Sequence, residues 1–132
     1  MTVQNILKSK NNDSVVTVRS GTLVSEAAKI LAEKRIGTVV ISDDGVTPKG
    51  ILSERDIVRQ LAAHGAECLL KTVDTYMTTK LVTCERRDKA DDILAQMTEG
   101  RLLPMPVVID VKLVGLVTLV DFVKERRYEV SM

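Results

Sequence analysis

The sequence predicts a mixed α/β (α+β) fold built from two tandem units, each running strand, helix, strand, strand, helix. Three observations carry this. The order of apolar and polar segments returns after about 66 residues, so the chain is an internal repeat. Hydrophobic residues make up 45% of the 132 positions but aromatics only 2%, so the core is left to Val, Leu, Ile, Ala and Met. A short pattern, Gly-apolar-apolar-Ser/Thr-x-x-Asp, occurs once in each half, at Gly50–Asp56 and Gly115–Asp121.

The elements follow in chain order. Val3, Ile6 and Leu7 give the N-terminal segment a short amphipathic stripe, and residues 10–13, KNND, read as a loop. VVTV at 15–18 is β-branched and apolar, which predicts a strand. Residues 22–34 place Val24, Ala27, Ala28 and Leu31 at the spacing of one buried helical face, with Thr22 as N-cap. TVVI at 38–41 predicts a second strand, DDG at 43–45 a turn, and Gly50–Leu52 a third strand. Ser53 then opens a helix to about Ala62, with Ile57, Val58 and Leu61 on its inner face; Gly65, just after His64, supplies the stop signal.

The connector at 63–80 reads as a loop over HGAEC and a short helix over TVDTYM. After it, Val82-Thr83-Cys84 matches Val16-Thr17-Val18. A helix over about 88–98 turns Ala90, Ile93, Leu94 and Met97 inward. Pro106-Val107-Val108 matches Val40-Ile41-Ser42, and GLVTLVD at 115–121 matches GILSERD at 50–56. The expected division is therefore 1–66, the first repeat with the N-terminal segment, and 67–132, the connector with the second repeat. Met77, Met97 and Met105 read as packing residues.

Charge and composition exclude several functions. The 19 basic and 18 acidic residues are spread evenly: residues 1–66 hold nine basic and seven acidic, residues 67–132 ten and eleven. Nucleic-acid binding needs a basic excess, commonly with stacking aromatics, and neither is present, so no nucleic-acid partner is expected. No apolar run reaches the roughly 20 residues of a membrane span, so no membrane partner is expected either. MTVQNILKSK lacks the apolar centre of a secretory signal, and Cys68 and Cys84 form no metal-ligand motif with a single His. These features lead to the expectation of a cytoplasmic protein with reduced thiols. Cys84 stands where Val18 stands in the first repeat and reads as a small buried residue, whereas Cys68 lies in the variable connector, a position open to exposure. KERR at 124–127 reads as a solvated helix end. No acid-base pair or nucleophile constellation is visible, so the protein is expected not to be an enzyme and to require no cofactor.

The repeated motif admits two compatible readings. Ser-x-x-Asp is a capping-box pattern, in which the hydroxyl accepts the N3 amide and the acid reaches back to the cap amide. The same arrangement can hold a ligand: amides at a helix N-terminus suit phosphate, and a carboxylate accepts both hydroxyls of a ribose. Repetition at matched positions favours binding.

The residues EAAKILAEKRIGTVVISDDG with GILSERDIVRQLAAHG, then MTTKLVTC, QMTEGRLLPMPVV and KLVGLVTLVDFVK, make the chain similar to a tandem pair of cystathionine β-synthase (CBS) domains, a Bateman module, of the stand-alone bacterial type. The similarity covers about residues 3–127. It implies two β-α-β-β-α repeats packed through their sheets with pseudo-twofold symmetry, leaving two clefts that take AMP, ATP, NAD(H) or another adenosine compound as a regulatory ligand. It further implies that Asp56 with Ser53, and Asp121 with Thr118, hold ribose and phosphate. Backbone around Thr38-Val39 and Met105-Pro106 would line the adenine pocket, and Arg55 and Lys80 would be phosphate partners. A homodimer that signals by changing shape, with a protein partner not identified by the sequence, completes the implied function; the alternative is a scaffold that no longer binds ligand. The second repeat departs from similar sequences, with Leu103 and Pro104 where an Arg-His pair is usual and Val120 where a glycine is usual. The first motif is therefore expected to be the stronger binder.

Overall fold

The computed structural model describes residues 1–10, 15–100 and 104–124. The chain divides into two compact units: Val15–Leu81, and Met1–Ser14 together with Val82–Met132. The N-terminal segment, expected with the first repeat from its place in the sequence, thus packs with the second.

In the first unit, β1 (Thr17–Val18) pairs parallel with β2 (Thr38–Ile41), and β2 pairs antiparallel with β3 (Gly50–Ser53). Helix α2 (Val24–Lys34) crosses from β1 to β2 and buries Val24, Ala27 and Leu31 as its spacing requires, while Ala28 is half-buried. Its N-cap is Leu23, not Thr22; the Thr22 carbonyl instead accepts the Val73 amide. Helix α3 (Glu54–His64) follows β3 directly, and Gly65 stops it in a positive-φ conformation, donating its amide to Leu61. Of the three apolar residues expected inward on α3, only Ile57 is buried; Val58 is 63% and Leu61 37% exposed. The connector forms a 3-10 turn over Gly65–Leu70 and then α4 (Val73–Tyr76). Cys68, whose exposure the connector's sequence left open, is buried within that turn. The core gathers Val18, Val24, Ala27, Leu31, Val39, Ile41, Leu52, Ile57 and Val73.

The second unit repeats this plan. Helix α5 (Ala90–Glu99) buries Ala90, Ile93 and Met97 and leaves Leu94 half-buried. β4 (Met105–Ile109) and β5 (Lys112–Val117) form an antiparallel hairpin. The strand expected over 82–84 is reduced to one parallel bridge, Cys84 with Val107, the equivalent of β1 on β2. A helix covers 119–124, the last of the described residues. Most of the loop expected at 10–13, Leu103, and residues 125–127 of the KERR run lie outside the described residues.

Helix α1 (Val3–Ser9) completes the second unit exactly where α4 completes the first. Val3, Ile6 and Leu7 are buried in its core. Val3 donates to the Asp88 carbonyl and Ala90 to the Met1 carbonyl; likewise Val73 donates to Thr22 and Val24 to Lys71. Residues 1–10, MTVQNILKSK, thereby correspond to 71–80, KTVDTYMTTK, sharing Thr-Val at the N-cap and Lys at the end. Each short helix packs on the repeat that does not follow it in sequence.

Candidate ligand site

Both motif glycines are explained by close approach. A Cβ on Gly50 would lie 2.6 Å from the Met77 sulfur and 3.1 Å from the Thr78 carbonyl, and Thr78 is paired with Ile51 by two backbone hydrogen bonds. A Cβ on Gly115 would lie 2.9 Å from a Leu7 methyl. Leu7 and Met77 occupy matching places in the two short helices, so the glycines are sites where those helices seat.

The hydroxyl and the acid then form the same reciprocal cap twice. At the start of α3, Asp56 N–H donates to Ser53 Oγ at 3.1 Å, and Ser53 N–H donates to Asp56 Oδ2 at 2.9 Å. Ser53 Oγ also donates to that oxygen at 2.9 Å. In the second copy, Thr118 N–H donates to Asp121 Oδ2 at 2.9 Å, and Asp121 N–H meets Thr118 Oγ1 at 3.4 Å. In both copies Oδ1 accepts no hydrogen bond among the described residues. The capping and binding readings are thus physically compatible: one carboxylate oxygen fixes the helix start, and the other has no partner among the described residues.

The helix N-terminus is more fully satisfied than a phosphate cradle would be. Glu54 N–H donates to the Gly37 carbonyl at 2.9 Å and Asp56 N–H to Ser53, leaving the Arg55 amide as the unpaired first-turn donor among the described residues. Thr38 lies directly across from Ser53 in the β2–β3 ladder and Val39 across from Leu52, so Thr38, Ser53 and Asp56 come together at one strand end. Val39 is wholly buried, and its side chain belongs to the core. Met105 and Pro106 pair with Val117 and Leu116, next to Thr118, and both are buried. Pro106 has no N–H, and its carbonyl already accepts the Cys84 amide at 3.0 Å. Arg55 and Lys80 are exposed and make no hydrogen bond or ion pair with the motif among the described residues. Val120 points outward, 61% exposed.

One residue at the site escaped the sequence reading. Lys10 Nζ donates to Asp121 Oδ2 at 3.0 Å and to the Leu116 carbonyl at 2.8 Å. The lysine side chain is 27% and the aspartate side chain 15% exposed. The available signal was the correspondence of 1–10 with 71–80, which sets Lys10 opposite Lys80; its interval differs from that of the main repeat.

The remaining titratable features lie elsewhere. Burial, with a smaller contribution from Asp88, pushes the Cys84 thiol up to about 12, so it is a packing residue and not a thiolate. His64 is exposed and stacks on Tyr76 with ring centres 6.4 Å apart. No helix among the described residues is long and apolar enough to cross a membrane, and no group of three metal-ligating side chains occurs among them.

Two units of β-α-β-β-α type, each with an aspartate capping its second helix, define a tandem repeat with duplicated candidate sites. The chain belongs to the CBS-domain family, whose model matches residues 5–63 and 73–128. It is 29% identical over 115 residues to the Bacillus subtilis CBS domain-containing protein YhcV, covering 87% of this chain and 81% of that one. It is 26% identical to the Methanocaldococcus jannaschii protein MJ1225, of which it spans only 39%. Among solved structures, the CBS-domain containing protein ATU1752 from Agrobacterium tumefaciens superposes with a TM-score of 0.88 at 34% identity, over 96% of this chain and 99% of the other. The CBS domain pair of protein MJ0100, solved in complex with 5-methylthioadenosine and S-adenosyl-L-methionine, gives 0.84 at 28% identity over 98% of each chain.

Proposed function

We propose that this chain is a regulatory module that binds an adenosine-containing ligand at its two motifs and acts as a homodimer whose shape responds to occupancy. The observation that carries the reading is the duplicated cap, Ser53 with Asp56 and Thr118 with Asp121, in which one carboxylate oxygen has no partner among the described residues. A carboxylate with a free oxygen suits the paired hydroxyls of a ribose. That a similar domain pair has been solved with two adenosine compounds supports the ligand class. Thr38 and Val39, and Met105 and Pro106, are proposed to face the adenine. Arg55 and Lys80 are proposed to meet phosphate where the ligand carries one.

With most of the first-turn amides of α3 already paired, recognition rests on the nucleoside and AMP binds at least as well as ATP. NAD(H) meets the same requirement through its adenosine half. Titration of the thermal transition with adenosine, AMP, ATP, NADH and GTP tests this, because a ligand that binds only the folded state stabilises it by RT ln(1 + [L]/Kd). Adenosine compounds are expected to raise the transition and GTP to leave it in place. Equal stabilisation by GTP would refute adenine selection, and no response to any of the five would leave a scaffold.

The two sites are not equal. Asp56 has no cationic partner among the described residues, whereas Asp121 holds Lys10. Asp56→Ala is expected to weaken AMP binding more than Asp121→Ala, by on the order of 1.5–3 kcal/mol for a lost carboxylate–hydroxyl pair. Calorimetry showing the larger loss for Asp121→Ala would reverse the ranking.

A further inference from the structure

The ammonium of Lys10 sits on the very carboxylate that the second motif would offer to a ligand. Its delivery is built into the fold: α1 is anchored by Val3, Ile6 and Leu7, Leu7 fills the space that Gly115 leaves, and Lys10 follows three residues later. Two of its three N–H donors are taken, by Asp121 Oδ2 and the Leu116 carbonyl. In the first unit the corresponding lysine, Lys80, follows Met77, which packs against Gly50. Lys80 is exposed and makes no ion pair among the described residues. The chain therefore carries the same lysine in two positions, docked on the motif aspartate in one copy and away from it in the other.

The difference matters for a diol. At Asp56, the extra donor on Oδ2 is the Ser53 hydroxyl, which can rotate away at little cost. At Asp121 it is a charged group held by two hydrogen bonds in a half-buried place, and charge-assisted bonds of that kind are about twice as strong as neutral ones. A ligand that engages both oxygens of Asp121 must displace it.

We propose that Lys10 is an internal competitor at the second site: it occupies Asp121 Oδ2, so a diol that engages both carboxylate oxygens binds there only when Lys10 withdraws. The inference rests on the ligand reading above. A site whose competent state is a minor population binds with its intrinsic affinity reduced by that fraction, so removing the competitor must tighten binding. The test uses the full chain with Asp56→Ala, so that the second motif is read alone, and adenosine as the probe in calorimetry. Lys10→Met is expected to tighten adenosine binding by about tenfold, within the usual 5–150-fold of couplings between sites, while Lys10→Arg, which keeps the charge, stays weak. Unchanged or weaker binding in Lys10→Met would overturn the proposal. If the unmutated chain still binds adenosine in that case, the ligand reading survives; if it does not, both fall. A ligand-free measurement reads the pair directly. Acetylation followed by mass spectrometry should find Lys10 slower than the exposed Lys8, and Asp121→Asn should speed it. Equal rates at both lysines, unaffected by Asp121→Asn, would also overturn the proposal.

Discussion

Val111 holds φ at 63° and Asp110 at 47°, so the two-residue β4–β5 turn has both central residues left-handed. This is the twist that suits a hairpin, but a β-branched residue pays for it sterically. Val111 is also 76% exposed, so its side chain packs little in return. Val111→Gly is therefore expected to raise stability by about 1 kcal/mol, the typical steric penalty of a left-handed residue with a Cβ. A rise in the urea midpoint with unchanged slope would be the sign; a fall would mean that the valine makes a contact worth more than its strain. In the first unit the β2–β3 connection is longer, and its left-handed position is a glycine, Gly45, at φ 80°. The contrast is legible in the sequence, where Asp44-Gly45 stands against Asp110-Val111.

At the scale of elements, the β2–β3 connection is an acid-sensitive turn. Asp44 accepts the Thr47 and Val46 amides and the Thr47 and Ser42 hydroxyls, which hold its carboxyl well below the usual carboxylate range. Lys49, and after it the Ser20 amide, lower Asp43 to about 2. Both folded values lie below the ordinary value near 3.9, so their stabilisation is present above about pH 4 and is lost as pH falls toward 2. Asp44→Ala should be less stable than the parent at pH 5, and urea unfolding should show the gap narrowing steadily as pH falls below 4. A gap independent of pH would mean that the aspartate acts through packing. Helix and strand types were legible because each rests on a local pattern: the buried face of α2, the β-branched run of β2, the hydroxyl that caps α3. Three things were not. Thr22 looked like an N-cap, but its backbone is committed to α4 across the unit. The strand at 82–84 has the right residues and only one bridge. The exchange of α1 and α4 between repeats was hidden because their correspondence, 1–10 with 71–80, does not share the interval of the main repeat. With it went Lys10, the residue that separates the two motifs.

On the scale of the whole molecule, the apolar residues that each unit leaves outside carry the assembly argument. Val58 and Leu61 on α3 are 63% and 37% exposed, and Val120 and Val123 on the helix over 119–124 are 61% and 47% exposed. Val58 and Val123 are equivalent positions, each two residues after the motif aspartate, so both second helices present a valine at the same place. Periodicity assigned Val58 and Leu61 to the interior because a stripe meant for a partner and a stripe meant for the core obey the same spacing. Single exposed apolar residues are ordinary, but a matched pair on duplicated helices next to duplicated sites suits self-association. Units of this size also have small cores, which gain from burial between copies. Sedimentation at micromolar concentration is expected to give twice the 14.5 kDa chain mass. Val58→Glu combined with Val123→Glu should give a single-chain mass with the far-ultraviolet spectrum retained, since neither side chain belongs to a core cluster. A dimer that survives both substitutions would place the interface elsewhere, and a monomeric parent would remove self-association from the mechanism. In the proposed dimer these valines, two residues from Asp56 and Asp121, would couple occupancy of a motif to association. AMP should then shift the dimer constant of the parent, and that shift should be smaller in Asp56→Ala.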